Sequence, residues 1–247
     1  MRGWLALVAM AATPALAQSP MAPAPAVTAI TTAPCTPTRI FPDDWPMLCH
    51  YRDANRAVVT PPSAVLIGDS ITEMWISTAP GLFADGVVDR GISGQTSPQM
   101  VARFYQDVVR LRPRVVHIMA GTNDIAGNTG PSSADNYADA ISSMLDMARA
   151  NGIAVVLGSI LPAGGFGWHP DYRPAQQIIA LNAWLRLVAA QRGLVYADYH
   201  SAMADPAGAM KPGLSSDGVH PNAAGFAIME PIARAAIAAA ERRAPKF

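Results

Sequence analysis

Four short polar clusters contain the residue types that nucleophilic catalysis needs. They supply, in turn, a hydroxyl, a glycine backbone, a carboxamide, and a carboxylate together with an imidazole. In chain order they are Gly68-Asp69-Ser70, Ser93-Gly94, Gly121-Thr122-Asn123-Asp124 and Asp217-Gly218-Val219-His220. A serine hydroxyl becomes a nucleophile when an imidazole accepts its proton and a carboxylate orients that imidazole. We therefore predict a catalytic triad of Ser70, His220 and Asp217.

The spacing of Asp217 and His220 supports this assignment, because residues three apart can lie side by side on one turn. The carboxylate can then fix the tautomer of the imidazole and stabilise its protonated form. Each member also has a purely structural interpretation. Ser70 could be a helix N-cap, and Asp217 could cap a surface loop. The G-x-S-x-G motif of α/β-hydrolases does not occur in the chain.

Gly94 and Asn123 are the candidate donors to a developing oxyanion. Glycine lets a backbone N–H approach a substrate oxygen closely, and an asparagine amide is a neutral donor of fixed geometry. The alternatives are an ordinary turn glycine and an Asx-turn. We expect Asp124, next to Asn123, to have a structural role.

The segments between the polar clusters predict a fold that brings these clusters together. Five apolar segments read as strands: Ala64–Gly68, the short Val87-Val88 within Gly86–Gly91, Val115–Ala120, Ile153–Gly158 and Leu194–Ala197. Segments with a 3.6-residue apolar period lie between them, which predicts alternating strands and helices. Continuous apolar runs indicate a parallel sheet covered on both faces, hence a three-layer α/β/α domain. In such sheets ligands bind at the carboxyl ends of the strands, where the first three clusters lie.

The order of the clusters resembles the block pattern of the SGNH (GDSL-type) hydrolases. The residues that carry the likeness are GDS, an isolated glycine, GTND and DGVHP, and the similarity spans residues 62–240. The resemblance implies a flavodoxin-like domain with a five-stranded parallel sheet and a ping-pong acyl-enzyme mechanism. It also implies an oxyanion hole formed by the backbone N–H groups of Ser70 and Gly94 and the amide of Asn123.

The blocks do not separate the substrate classes of that family. Acetylated polysaccharides, short acyl or aryl esters, and lysophospholipids or thioesters all remain open. We favour short acyl esters, acetylated carbohydrate included, because no amphipathic lid is evident in the sequence. A non-catalytic carbohydrate- or lipid-binding module is the alternative from another class.

The loop at 162–174 is long and contains Trp168, His169 and Tyr172. We expect Trp168 to contact substrate, although incidental surface aromatics are the other interpretation.

The first residues have the features of a signal peptide. Arg2 precedes an apolar run, and Ala15-Leu16-Ala17 fits a cleavage site. We expect residues 1–17 to be removed, 18–60 to form a flexible leader and a docking segment, and 61–247 to form the catalytic domain. In the docking segment, the spacing of Trp45, Leu48 and Tyr51 suggests a short helix. Export to the periplasm or the medium would let Cys35 and Cys49 form a disulfide; two free thiols are the alternative.

Charge and composition exclude several partners. The chain has 18 basic and 18 acidic residues, so it lacks the basic surplus typical of nucleic-acid-binding proteins. No second apolar run of spanning length is expected after the signal peptide, and hence no stable membrane insertion. No metal or cofactor is predicted, and the expected partner is a small-molecule or carbohydrate ester. The sequence leaves the oligomeric state open.

Overall fold

Five apolar segments form a sheet, and helices connect them. The computed structural model describes residues 44–84, 86–130 and 132–243. The strands are β1 (Ala64–Gly68), β2 (Val87–Gly91), β3 (Val115–Met119), β4 (Ala154–Gly158) and β5 (Val195–Ala197). The helices are α1 (Arg52–Ala57), α2 (Ser70–Thr78), α3 (Ser97–Asp107), α4 (Thr122–Ala126), α5 (Ala134–Ala150), α6 (Ala175–Gln191), α7 (Tyr199–Met203) and α8 (Ala223–Glu241).

All neighbouring strands are parallel, and their order across the sheet is β2-β1-β3-β4-β5. This is the order of flavodoxin-like folds, in which ligands bind at the carboxyl edge of the sheet. Gly68 at the end of β1 pairs with Gly91 at the end of β2 and with Met119 at the end of β3. The loops after these three strands therefore leave the sheet side by side, and they contain the first three polar clusters.

Apolar side chains cover both faces of the sheet. On one face Phe104, Ile141 and Leu185 bring in helices α3, α5 and α6. On the other face Trp75 of α2 stacks on Phe226 of α8, with ring centroids 5.2 Å apart. Every residue of β1 and β3 is buried, which explains why these central strands read as continuous apolar runs. The predicted three-layer α/β/α fold with five parallel strands is confirmed.

The segment before β1 differs from the sequence-based expectation in the place of its helix. Residues 44–50 form turns, and α1 begins only at Arg52. The carboxylate of Asp44 accepts the backbone N–H groups of Leu48 and Cys49, at 2.8 and 2.9 Å. Such local side-chain bonds give the backbone an alternative to helix. Trp45 and Leu48 consequently remain partly exposed, at 42% and 39%.

Several sequence-based predictions concern residues 1–43, which lie outside the described part of the chain. The signal peptide at 1–17, most of the leader, and Cys35 of the predicted disulfide are among them. These assignments, together with the domain boundaries and export, stay predictions.

Helix α8 corrects the expectation that no further apolar run of spanning length follows. Among the described helices it is long and apolar enough, by length and composition, to cross a membrane. Its apolar side is used inside the protein, because Phe226, Met229, Ala233 and Ile237 are buried in the core.

A fully buried arginine connects the loops at the carboxyl edge of the sheet. Arg103 donates to the carbonyl oxygen of Gly68 at 3.0 Å and to Oε1 of Gln95 at 2.6 Å. It also forms an ion pair with Asp107 at 3.1 Å, and both side chains are 0% exposed. Asn55 of α1 donates to the same carboxylate at 2.7 Å. Burial lowers the pKa of Arg103, and the nearby Asp107 opposes that effect.

Replacing this arginine should destabilise the fold strongly. We expect Arg103→Met to lower the free energy of unfolding by about 3–5 kcal/mol, because it leaves a buried carboxylate without its cation. Urea denaturation measures the effect. Arg149→Met is the matched control, since Arg149 pairs with Asp146 at the surface and its loss should cost less than about 1 kcal/mol. Equal, small effects of the two substitutions would contradict the role of Arg103.

Candidate active site

Ser70 begins helix α2 directly beyond β1, on a turn packed tightly against β2. Asp69 caps the helix, because its Oδ1 accepts the N–H of Ile71 at 2.9 Å. A Cβ atom on Gly91 would lie 2.1 Å from the backbone nitrogen of Glu73 and 2.8 Å from the carbonyl oxygen of Asp69. Only glycine lets α2 start this close to β2, so Gly91 sets the place of Ser70.

The side chains of Ser70, His220 and Asp217 form one hydrogen-bonded chain. His220 Nε2 lies 2.9 Å from Ser70 Oγ, and His220 Nδ1 lies 2.6 Å from Asp217 Oδ2. A carboxylate only accepts hydrogen bonds, so Nδ1 carries the proton and Nε2 is left to accept from the serine hydroxyl. The structure thus brings the three residues of the predicted triad together.

The loop before α8 holds Asp217 in place. Its Oδ1 accepts the N–H groups of Val219 and His220 at 2.9 and 2.8 Å and the hydroxyl of Ser215 at 3.0 Å. Partial burial acts to raise the pKa of Asp217, but the hydrogen bonds from His220 and Val219 outweigh it and hold the pKa well below its usual range. The carboxylate is therefore ionised at neutral pH. Asn222 ends the loop by capping α8.

Asn123 lies next to the turn that carries Ser70, and it also bonds to Gln95, the residue after Gly94. Asn123 Nδ2 donates to the carbonyl oxygen of Gln95 at 3.0 Å and approaches Asp69 Oδ2 at 3.4 Å. Gly94 has a φ of 80°, and a side chain there would meet nothing within 4 Å. Within the described part of the chain, the N–H groups of Ser70 and Gly94 have no protein acceptor.

Two buried carboxylates at this edge support the loops. Asp124 accepts the N–H of Ser97 at 3.1 Å and its hydroxyl at 2.5 Å, so it joins α4 to the start of α3. This is the structural role expected for Asp124. Burial raises its pKa against the opposing bonds from Ser97. Burial likewise raises the pKa of Asp69 to about 6, although the Ile71 N–H and the nearby His220 lower it.

The loop at 162–174 contains a stack of three aromatic rings. The buried Phe166 stacks on Trp168 and on Tyr172, with ring centroids 5.0 and 6.0 Å apart. Trp168 is 43% exposed, and its Nε1 donates to Oδ1 of Asn128 at 3.2 Å. Asn128 in turn donates to Asn123. Trp168, the predicted substrate contact, is therefore connected to Asn123 through a single intervening residue.

An open cavity of about 410 Å³ is lined by Phe166 and Pro170 of this loop and by Asp217 and Gly218 of the loop before α8. Tyr172 instead borders a second cavity of about 380 Å³, together with Tyr137 and other residues. The side chain of His169 is exposed. Of the three ring-bearing residues Trp168, His169 and Tyr172, Trp168 is the one linked to Asn123 by hydrogen bonds, through Asn128.

Other features are separate from this site. His117 is a core residue; its Nε2 lies 2.8 Å from the hydroxyl of Tyr199, and burial lowers its pKa to about 4. A cavity of about 660 Å³ opens at the amino ends of β4 and β5, and no predicted site residue lines it. Among the described residues, no group of three or more His, Cys, Asp or Glu side chains could hold a metal ion.

Sequence reasoning missed three supporting residues. Gly91 and Arg103 read as ordinary members of a strand end and a helix. Asn128 follows Gly127, a combination that indicates a helix end, but its contact with Trp168 joins positions 40 apart in the chain. No local pattern could have revealed that contact.

Comparisons with known proteins agree with this architecture. The model of the GDSL-like lipase/acylhydrolase family matches residues 66–228. A solved structure of a candidate acylhydrolase from Bacteroides fragilis is 40% identical over 81% of this chain and 100% of its own, with a TM-score of 0.78. A GDSL-like lipase from Bacteroides thetaiotaomicron is 39% identical over 79% and 99% of the two chains, with a TM-score of 0.77.

A more distant structure shares the fold. An acetylxylan esterase from Geobacillus stearothermophilus is 20% identical over 73% of this chain and 95% of its own, with a TM-score of 0.56. A comparison with curated proteins gave no match.

The close approach at Gly91 predicts the effect of adding one methyl group there. We expect Gly91→Ala to lower the free energy of unfolding by about 1–3 kcal/mol, because the first turn of α2 must move. Urea denaturation measures this, and hydrolysis of p-nitrophenyl acetate should fall as Ser70 shifts. Gly167→Ala adds the same methyl group where nothing lies within 4 Å, so it serves as the stability control. A stable, fully active Gly91→Ala protein would contradict this account of the turn.

Proposed function

Because this chain belongs to the GDSL-like lipase/acylhydrolase family, we propose that it is a serine esterase that hydrolyses short-chain acyl esters, acetylated carbohydrates among them. The observation that carries the proposal is the hydrogen-bonded chain from Ser70 through His220 to Asp217. A serine, an imidazole and a carboxylate in this order can form and then hydrolyse an acyl-enzyme.

In the first half of the reaction, Ser70 Oγ attacks the ester carbonyl carbon while its proton moves to Nε2 of His220. Asp217 holds the other ring nitrogen protonated and stabilises the imidazolium that forms. When the tetrahedral intermediate collapses, the bond to the alcohol oxygen breaks and His220 returns the proton to that oxygen. The products of this half are a free alcohol and an ester on Ser70.

In the second half, water replaces the alcohol. His220 accepts a proton from the water, whose oxygen attacks the carbonyl carbon of the acyl group on Ser70. Collapse of the second tetrahedral intermediate breaks the bond to Ser70 Oγ, which regains a proton from His220. The carboxylic acid leaves, and the enzyme is restored.

The oxyanion of both intermediates would be bound by the N–H groups of Ser70 and Gly94 and by the amide of Asn123. The carboxamide nitrogen of Asn123 keeps one hydrogen on the carbonyl oxygen of Gln95, at 3.0 Å. Its approach to Asp69 is long, at 3.4 Å, and hence weak. The second hydrogen can therefore turn to the substrate oxygen with little loss of other bonding.

The cleft beside the triad supports a polar alcohol portion of the substrate. Glycines and the ring of Phe166 line the cleft from the loop at 162–174, and Asp217 and Gly218 line it as well. Binding sites commonly combine an aromatic surface with a few polar groups in this way. An acetylxylan esterase that shares the fold makes acetylated carbohydrate a reasonable substrate class to test.

Substitutions at the triad and the oxyanion hole test the mechanism. With p-nitrophenyl acetate, Ser70→Ala and His220→Ala should each lower kcat by up to about 10⁶. Asn123→Ala should lower kcat by about 10²–10³ because one oxyanion donor is lost. Asp217→Asn should have a smaller effect. Ser216→Ala, at an exposed serine of the same loop, is the control and should be fully active. Near-normal hydrolysis by Ser70→Ala would refute the mechanism.

A panel of esters tests the substrate class. We expect kcat/KM for p-nitrophenyl esters to fall by about tenfold or more between butyrate and octanoate, because the cleft beside Asp217 is open and leaves added methylenes in contact with water. Release of acetate from acetylated xylan and of fatty acid from lysophosphatidylcholine should be measured alongside. Preferred hydrolysis of the lysophospholipid or of the octanoyl ester would contradict the short-chain assignment while leaving the triad intact.

A further inference from the structure

The end of helix α4 places Asn128 directly over Asn123. Gly127 has a φ of 68° and ends the helix. Its N–H donates to the carbonyl oxygen of Asp124 at 3.1 Å, and the N–H of Asn128 donates to that of Asn123 at 3.1 Å. This pair of bonds is the Schellman motif, which brings the second residue after a helix back over its last turn. The backbone alone therefore fixes the distance between the two asparagines.

The side chains of the same residues continue into a longer chain of hydrogen bonds. Trp168 Nε1 donates to Asn128 Oδ1 at 3.2 Å, and Asn128 Nδ2 donates to Asn123 Oδ1 at 2.6 Å. Asn123 Nδ2 then donates to the carbonyl oxygen of Gln95 at 3.0 Å. In each of these bonds, an N–H group of one residue donates to the oxygen of the next.

The two ends of this chain determine its direction. An indole N–H can only donate, and a peptide carbonyl oxygen can only accept. Each carboxamide between them has one donor and one acceptor side, so a single orientation of both satisfies every bond. Turning Asn123 over would place oxygen against the oxygen of Gln95 and nitrogen against the nitrogen of Asn128. The chain thereby keeps the NH₂ group of Asn123 facing the turn that carries Ser70.

We propose that Asn128 is a positioning residue for the oxyanion hole, and that Trp168 orients Asn128 through its indole N–H. The inference rests on the proposed function, because it takes Asn123 to be an oxyanion donor. Its consequence is a link between two parts of the site. Trp168, which stacks on the Phe166 ring that lines the cleft, also sets the direction of the Asn123 amide.

The loop around Asn128 has a separate attachment, which makes a clean test feasible. Thr129 Oγ1 lies 2.9 Å from Thr96 Oγ1, and Thr96 is buried at the start of α3. This contact and the Schellman motif do not involve the side chain of Asn128. Thr129→Val therefore loosens the same loop without touching the Trp168–Asn128–Asn123 chain, and it serves as the matched control.

Three variants test the separate hydrogen bonds of the Trp168–Asn128–Asn123 chain. Asn128→Asp has the same shape but cannot donate to Asn123, Asn128→Ala removes the side chain, and Trp168→Phe keeps the ring without its N–H. We expect both Asn128 variants to lower kcat for p-nitrophenyl acetate by about 10- to 100-fold with little change in KM. Trp168→Phe should lower kcat less, and Thr129→Val should leave it unchanged. Thermal melting shows whether each variant folds. If the Asn128 variants do not fold, Trp168→Phe provides the test.

The double variant Asn123→Ala/Asn128→Ala distinguishes positioning from a general structural effect. If Asn128 acts through Asn123, the double variant should be no slower than Asn123→Ala alone. Additive losses, or wild-type kcat in Asn128→Asp and Asn128→Ala, would overturn the positioning role while leaving the esterase mechanism standing. Wild-type kcat in Asn123→Ala would overturn both this inference and the oxyanion assignment.

Discussion

The guanidinium of Arg103 joins the two loops on which the candidate site depends. It is fully buried, and it donates to the carbonyl oxygen of Gly68, two residues before Ser70, and to the side chain of Gln95, next to Gly94. A buried charge keeps its partners firmly, because displacing one of them leaves the charge unsatisfied in a medium of low polarity. The loops that carry Ser70 and Gly94 are thus joined by a side chain that contacts neither residue.

The site is completed from two other directions. The loop before α8 carries Asp217 and His220 to Ser70, and its own backbone N–H groups keep Asp217 ionised. The loop at 162–174 reaches the opposite side through the bond from Trp168 to Asn128. In this account the donors to the oxyanion are oriented before substrate arrives, so little reorganisation is needed during the reaction. The strand order makes this convergence feasible, since β2, β1 and β3 end beside one another.

Much of this arrangement could be predicted from the sequence, because the fold depends on short-range patterns. Buried parallel strands are recognisable as apolar runs, and each polar cluster follows a strand or precedes a helix. The short helix predicted from Trp45, Leu48 and Tyr51 forms later in the chain, at Arg52–Ala57, because Asp44 accepts backbone N–H groups of the preceding turns. Arg103 looked like a polar residue on a helix, and its burial depends on partners far away in the chain. The bond between Trp168 and Asn128 was equally hidden, since it depends on the conformation of a long loop.

The central claim is that Ser70 is the nucleophile and that His220 activates it. The most direct measurement is the site and rate of covalent labelling by a fluorophosphonate, read by mass spectrometry of the intact protein and of its peptides. The account predicts one label, located on Ser70, absent from Ser70→Ala and formed much more slowly in His220→Ala. A label on another residue, or an unlabelled protein that still hydrolyses esters, would contradict it.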